Sequence, residues 1–362
     1  MNKEKHVSIV IPIYNEKRYV NLLLNSLLNQ SYPKGKFEIL MIDGCSEDGT
    51  KEEVRKIIVS NLKFSTLDLS ILDNPKKIVP CALNIGIKEA KGEYIIRMDA
   101  HTEYASDYIS KCVEWLNKTG VDNVGGPIKS MPGRNTLIAK AIALASSNIF
   151  GVGNSKFRTS QKAEHVDTVT FGAWPRRVFR EVGLFDERLV RNQDIEFNAR
   201  IRKAGGKIFL TPEIKSYYHC RGTLKGLWKQ NFENGKWVIY TKKIAPYCLS
   251  WGHFIPLLFV VSLLVSGVMS FVSSQFDLKK IFALCSLLFA GIIVSYLFTN
   301  LIFTFLLSIK NGLKCFFILP TVFATLHLSY GLGSVMGLLA LRKWMKMNRI
   351  SRMNTFNSCE GD

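Results

Sequence analysis

The sequence predicts an α/β head, built on a mostly parallel sheet with flanking helices, followed by C-terminal transmembrane helices. Three observations lead there. Short apolar runs alternate with helix-period patterns in the N-terminal part, each run stops at a cluster of polar side chains, and three long C-terminal stretches carry no charge.

The runs at 7–11, 37–42, 67–72 and 94–98 are rich in Ile, Val, Leu and Tyr and are bounded by Pro, Gly or Asn, the pattern of buried strands. Between them, Val20, Leu23, Leu24, Leu27 and Leu28 fall on one helix face. Val79-Pro80 with Leu83, Ile87 and Ala90 predicts a second helix with proline in its first turn, closed by Gly92. Such alternation implies right-handed crossovers and ligands bound outside the carboxyl ends of the strands. There the sequence puts Tyr14-Asn15-Glu16, Asp43, Asp73-Asn74 and Asp99-Ala100-His101, so one rim is expected to gather all four clusters.

The turn after the first run, Pro12-Ile13-Tyr14-Asn15-Glu16, has no GxGxxG, which argues against a backbone cradle for pyrophosphate. Two ligand atoms two residues apart at a strand end can instead hold a divalent cation that bridges phosphates, and Asp99 and His101 have that spacing. Taken alone, D-x-H is more often a helix cap or a loop brace; its placement beside Asp43 and Asp73 favours a ligand site.

In their order along the chain, VSIVIPIYNE at 7–16, IDGCSEDGT at 42–50, NIG at 84–86 and GEYIIRMDAH at 92–101 resemble the family 2 glycosyltransferases of the GT-A fold, nucleotide-diphospho-sugar transferases. Arg97 to His101 and the segments 151–158, 166–174, 185–187 and 191–194 resemble, more narrowly, the succinoglycan-biosynthesis ExoA-like subgroup. The resemblance implies an inverting enzyme that moves a hexose, glucose by the subgroup, from a UDP-sugar to a lipid-linked saccharide acceptor in exopolysaccharide or surface-polysaccharide assembly. By the same resemblance Pro12, Tyr14, Asn15, Glu16 and Asp43 hold the uracil and ribose, Asp99 and His101 meet the metal and phosphates, Asp194 is the catalytic base, and Gly172-Ala173-Trp174 floor the acceptor site. Gln230, Lys236 and Trp237 resemble a Q-x-x-R-W element at longer spacing, which implies a contact to diphosphate.

The chain departs from the family pattern twice. His101 stands where aspartate is usual, which favours a softer ion such as Mn²⁺ and leaves Mg²⁺ open. Gln193 stands where a carboxylate normally precedes the base, so Asp194 is expected to have a less raised pKa, with Glu196 as a partial replacement. From the residues alone, Asp194 reads equally as a dipole partner at the start of a helix carrying Phe197, Ile201 and Ala204, Trp174 equally as core, and Asp43-Gly44 also as a tight turn.

Residues 244–276, 281–309 and 315–341 contain no Asp, Glu, Lys or Arg. Each exceeds the roughly 20 residues a helix needs to cross hydrocarbon. The expected division is a head at 1–243, a membrane domain with about three hydrophobic segments at 244–341, and a basic tail at 342–362. Residues 1–6 are charged and show no cleavable signal, which predicts a head in the cytoplasm and a multi-pass protein of the cytoplasmic (inner) membrane. Three full crossings would carry Arg342, Lys343, Lys346, Arg349 and Arg352 outside, against the positive-inside rule. One segment is therefore expected to be re-entrant or interfacial, with breaks at Pro256, Pro320, Gly331, Gly333 or Gly337. The net charge of +19 includes Lys225, Lys229, Lys236, Lys242 and Lys243 just before the first apolar run, which suits anionic headgroups and makes the membrane, rather than nucleic acid, the expected partner. The eight cysteines are scattered without a C-x-x-C pair and read as reduced thiols. Two rival functions remain at this point: a processive polysaccharide synthase and a non-catalytic nucleotide-binding membrane scaffold.

Overall fold

The computed structural model describes residues 6–276 and 278–357, with side chains through 346. Residues 1–5, on which the signal reading rests, and the end of the basic tail lie outside the described residues. The strands are β1 (Val7–Ile13), β2 (Phe37–Asp43), β3 (Asp68–Asp73), β4 (Tyr94–Arg97), β5 (Thr102–Tyr104), β6 (Asn123–Gly125), β7 (Ile128–Met131), β8 (Glu164–His165), β9 (Ala173–Pro175), β10 (Ile208–Leu210) and β11 (Ser216–His219). The helices are α1 (Lys17–Leu28), α2 (Thr50–Ser60), α3 (Val79–Glu89), α4 (Tyr108–Thr119), α5 (Leu137–Ala145), α6 (Ile149–Val152), α7 (Lys156–Thr159), α8 (Arg177–Glu181), α9 (Gln193–Lys203), α10 (Leu224–Ile244), α11 (Ile255–Gln275), α12 (Lys279–Asn311) and α13 (Leu319–Asn357). Two compact units result, Met1–Gly133 with Ser146–Cys220, and Arg134–Ala145 with Arg221–Asp362.

In the first unit the main sheet runs β3-β2-β1-β4-β9-β6-β10-β8, and a small sheet runs β5-β11-β7. Strands β3, β2, β1 and β4 are parallel, and their register aligns Ile13 with Asp43 and Asp43 with Asp73. β1 lies between β2 and β4, so the chain leaves it in both directions, and the polar strand ends open where ligands of such sheets bind. The antiparallel β9 is inserted between β4 and β6.

Alternation along the strands builds two cores. Ile9, Ile11, Ile39 and Met41 pack with Val20, Leu23, Leu24 and Leu27 of α1, whereas Val10, Leu40 and Ile42 pack with Leu83 and Ile87 of α3. Each fully buried aliphatic side chain contributes about 2 kcal/mol of transfer free energy. The glycine of Asn84-Ile85-Gly86 has a packing cause: a Cβ there would lie 2.4 Å from Val10 Cγ1. The expectation of a buried strand at 67–72 is corrected, because β3 is an edge strand with Asp68, Ser70 and Asp73 exposed.

In the second unit three helical spans, Trp251–Gln275, Lys279–Asn311 and Leu319–Lys346, are long and apolar enough to cross a membrane. α10 packs along α13 and belongs with them, so the compact units part at Cys220 rather than at residue 243. The expected helix breaks are also corrected. Pro256 lies in the first turn of α11 and Pro320 in that of α13, where the missing amide is not needed. Gly331, Gly333 and Gly337 run inside an unbroken helix and admit neighbouring backbone: a Cβ would meet Pro256 O at 2.3 Å, Phe232 O at 2.0 Å and Lys236 O at 2.9 Å. The same helix continues past Leu341 to Asn357, so the first part of the expected tail is helical.

Candidate active site

At the rim, the loop after β1 is laced to the loop after β2. Gly44 N–H donates to Ile13 O at 2.8 Å, Asn15 N–H to Ser46 Oγ at 2.9 Å, Glu47 N–H to Asn15 Oδ1 at 2.9 Å, and Glu16 N–H to Thr50 Oγ1 at 2.8 Å. A side chain at position 44 would press on Tyr14 at 3.1 Å, so glycine there lets the half-exposed Tyr14 ring lie over the turn. Asp43 is buried and accepts from Ser46 Oγ at 2.6 Å and Ser46 N–H at 3.1 Å, with acceptor capacity left on both oxygens. Beside it, Asn74 N–H donates to Asp43 O at 2.7 Å, and the buried Asn74 Oδ1 has no partner among the described residues. Pro12 is half-buried within β1, opposite Ile42. Asp73, by contrast, turns out to solvent and pairs with Lys51 at 2.5 Å.

The acidic centre is built by one arginine. Arg97 ends β4, is 4% exposed, and donates from Nε to Asp99 Oδ1 at 2.9 Å, from Nη2 to Asp99 Oδ2 at 3.2 Å and from Nη1 to Asp194 Oδ1. Two carboxylates 95 positions apart in the chain thus share one guanidinium. Arg97 N–H donates to Gly172 O at 3.0 Å, and Asp99 N–H donates to Tyr104 Oη at 2.6 Å, which fixes both ends of the turn. Asp194 lies in the first turn of α9, entered through Asn192 in the left-handed conformation at φ 63°.

Burial raises the Asp194 carboxyl above its ordinary value; Arg97 opposes this and Asp99 adds to it. The expected role of Glu196 is corrected. Its carboxylate is buried against Arg200, 2.7 Å from Nε, so the carboxylate that acts on Asp194 is Asp99. Burial works against the Arg97 charge, and Asp194 with Asp99 more than offsets it, holding the guanidinium charged. Tyr104 stays a phenol, its pKa pushed up by burial and by Asp99.

His101 Nδ1 lies 3.0 Å from Glu16 Oε1. A carboxylate only accepts, so Nδ1 carries a proton in this contact, as in the carboxylate–histidine pairs of metal-binding imidazoles. Among the described residues no three His, Cys, Asp or Glu side chains converge as a metal cage. Asp99, both of whose oxygens accept from Arg97, and His101, paired with Glu16, are the two residues here that could hold a divalent ion, whose remaining ligands would come from phosphate and water.

The acceptor floor read from the sequence is corrected as well. Ala173 and Trp174 are buried in β9, and the Trp174 ring meets Phe179, Phe185 and Phe197 edge-on, leaving no face for a sugar. Gln230, Lys236 and Trp237 stand on α10 in the second unit, where the Trp237 ring meets Tyr240 and Trp344. In the sequence Arg97 and Asn84 are motif letters without a task of their own. Asn84 clamps the loop before α9, donating from Nδ2 to Phe185 O at 2.9 Å and to Glu187 Oε1 at 3.1 Å and accepting from Phe185 N–H at 2.9 Å.

With this geometry in place, known proteins resemble the chain as follows. The profile of the family described as Glycosyl transferase family 2 matches residues 8–183. The chain is 29% identical to the dolichyl N-acetyl-alpha-D-glucosaminyl phosphate 3-beta-D-2,3-diacetamido-2,3-dideoxy-beta-D-glucuronosyltransferase of Methanococcus voltae, over 74% of this chain and 83% of that one. It is 33% identical to the succinoglycan biosynthesis protein ExoA of Rhizobium meliloti (strain 1021), over 63% of this chain and 67% of that one. Among solved structures its fold is similar to the mannosyltransferase PcManGT from Pyrobaculum calidifontis in complex with GDP-Man and Mn2+, with a TM-score of 0.56 and 17% identity over 92% of this chain and 88% of that one. An α/β head of this topology, joined to the motifs that trace its rim, makes the chain a member of the family 2 glycosyltransferases.

Proposed function

We propose that the protein is a membrane-bound inverting hexosyltransferase that moves glucose from a UDP-sugar to a lipid-linked saccharide in exopolysaccharide or surface-polysaccharide synthesis. The observation that carries the reading is the Arg97 guanidinium, which joins Asp99, on the donor side, to Asp194, on the acceptor side. A single displacement needs a base on the acceptor face within reach of the anomeric carbon whose diphosphate leaves on the opposite face, and the shared guanidinium holds Asp194 close to the Asp99 turn.

Asp194 accepts the proton of the acceptor hydroxyl as that oxygen forms its bond to the anomeric carbon. The bond from that carbon to the phosphate oxygen breaks, its electron pair leaves with UDP, and configuration inverts. A divalent ion held by Asp99 and His101 would supply charge to the departing diphosphate. Arg97 keeps the two carboxylates at fixed separation and lowers the cost of ionising Asp194. At the rim, Asp43 and the unpartnered Asn74 Oδ1 offer acceptors to uracil N3–H or a ribose hydroxyl, with Pro12, Tyr14, Asn15 and Glu16 shaping the turn.

The name of the Methanococcus voltae relative, with its dolichyl N-acetyl-alpha-D-glucosaminyl phosphate, supports a lipid-linked saccharide acceptor here, and the PcManGT complex supports a nucleotide sugar with a divalent ion. Glucose rests on the subgroup resemblance carried by Arg97 to His101 and the segments 151–158, 166–174, 185–187 and 191–194, and the name of the relative ExoA supports polysaccharide synthesis. For the membrane part, α11 and α12 leave 11% and 0% of their apolar windows buried, against 44% for α13, which supports two crossings with α13 at the cytoplasmic interface of the inner membrane. That arrangement keeps head and basic tail on one side. Protease access to a tag at Asp362 from the cytoplasmic side alone is expected; access from the outside alone would establish a third crossing.

The test is turnover of UDP- and GDP-sugars by the purified protein with lipid-linked saccharides, with and without Mn²⁺ or Mg²⁺. Metal-dependent transfer from UDP-glucose to give one added residue is expected. A long polymer from one primer would identify a processive synthase, and absence of both hydrolysis and transfer would identify a scaffold.

A further inference from the structure

The segment at 151–158 has no part in the chemistry above. It turns at Gly153, where φ 63° and ψ −154° form a conformation that in practice only glycine adopts. Nothing lies within 4 Å of the position a Cβ would take, so the dihedral and not crowding demands glycine. The turn leads into α7, whose Phe157 packs against both cores of the first unit and so fixes its neighbour.

That neighbour is Arg158. It is half-buried, with its guanidinium carbon 5.7 Å from the Tyr218 ring centre and 5.6 Å from that of Phe157. Among the described residues no carboxylate forms an ion pair with it, whereas Lys156, two positions earlier, is neutralised by Glu164 at 2.5 Å. Tyr218 meets the His101 ring edge-on at 5.1 Å. His101 in turn faces Tyr19 at 6.3 Å, and Arg18 stands over Tyr19 at 5.4 Å. The imidazole therefore sits in an aromatic row with an arginine at each end.

A guanidinium drawn partly out of water without a counter-charge is a costly arrangement that an oxyanion relieves, and its planar fork matches phosphoryl oxygens. We propose that Arg158, stacked on Tyr218 beside His101, is a seat for a phosphoryl group of a substrate. Two sources share that chemistry, the diphosphate of the donor nucleotide and the phosphate that links an acceptor saccharide to its lipid; naming them rests on the function proposed above, while the seat itself rests on the residues.

The experiment uses the full chain in detergent as wild type, Arg158→Ala, Arg158→Lys and, as a control, Lys156→Ala. UDP with Mn²⁺ is titrated by calorimetry, and polyprenyl phosphate binding is followed separately. Arg158→Ala is expected to weaken one of the two by about tenfold or more, with Arg158→Lys intermediate and Lys156→Ala unchanged. Loss on the UDP arm assigns the seat to the donor, and loss on the polyprenyl phosphate arm assigns it to the acceptor. Wild-type affinity on both arms, in an Arg158→Ala protein that melts with the wild type, overturns the seat. Both arms are equilibrium measurements, so a wild type without transferase activity would sink the proposed function and leave this test readable.

Discussion

The rim loops and the acidic centre lie on the same sheet edge and are held in opposite ways. At the rim, 12–16 and 43–50 are tied by many backbone-to-side-chain bonds, each replaceable by a neighbour or by water. At the centre, one buried guanidinium serves two carboxylates that lie 95 positions apart in the chain. Damage at the rim should be graded and confined to donor affinity, whereas damage at the centre should reach turnover and stability together.

The largest effect expected is at Asp194. Asp194→Asn keeps the size of the side chain and its contact to Arg97 but removes the base, and general-base catalysis is worth about 10²- to 10⁴-fold. A loss of kcat in that range, with UDP affinity within twofold of wild type by calorimetry, is expected; retained turnover would end the base assignment.

Arg97→Met comes next and separates the centre from the rim most sharply. Leaving a buried carboxylate without its partner costs about 3 kcal/mol, read as a lower melting temperature. The pH profile gives the second readout. Asp194 must be ionised to act, so kcat/KM rises with pH through its titration, at a pH above the ordinary aspartate value because burial disfavours the charge. Arg97 opposes that shift, so in Arg97→Met the acid limb should move farther up. An unmoved limb would mean that the guanidinium does not act on the base.

The two regions also differ in how far the sequence disclosed them. Strand ends are local, so the apolar runs stopping at Asp43 and Asp99 announced the rim, and the helix pattern after Gln193 placed Asp194 in a first turn. The Arg97 to Asp194 contact is not local, and no spacing encodes it; Arg97 was legible only as a motif letter. Trp174 failed for another reason: an aromatic side chain reads the same whether it floors a sugar site or, as here, fills a cluster with Phe179, Phe185 and Phe197. The glycines of α13 read as helix breakers because propensity is a property of one helix, while their use is contact with α10 and α11. β9 was missed because a three-residue strand carries too little pattern.

A smaller effect is expected at Asp43. Asp43→Asn leaves one acceptor oxygen where Ser46 Oγ and Ser46 N–H now reach one each, and exchanges the other for an amide that donates toward uracil or ribose; one such bond to a charged group is worth about 1.5 kcal/mol, or roughly tenfold in Kd. The loss should appear in UDP affinity and donor KM with kcat kept, the reverse of Asp194→Asn. A fall in kcat without a change in donor affinity would move Asp43 from the rim to the centre.

The smallest effect separates a braced rim from a dependent one. Ser46→Ala removes the hydroxyl that donates to Asp43 at 2.6 Å and accepts from Asn15 N–H at 2.9 Å, but Ser46 N–H still donates to Asp43 at 3.1 Å. One neutral hydrogen bond contributes about 1 kcal/mol, and Asn15 keeps its tie through Glu47 N–H, so donor affinity should fall by only about two- to fivefold. A loss as large as that of Asp43→Asn would show that Ser46 alone holds the carboxylate, and that the rim, like the acidic centre, depends on a single side chain.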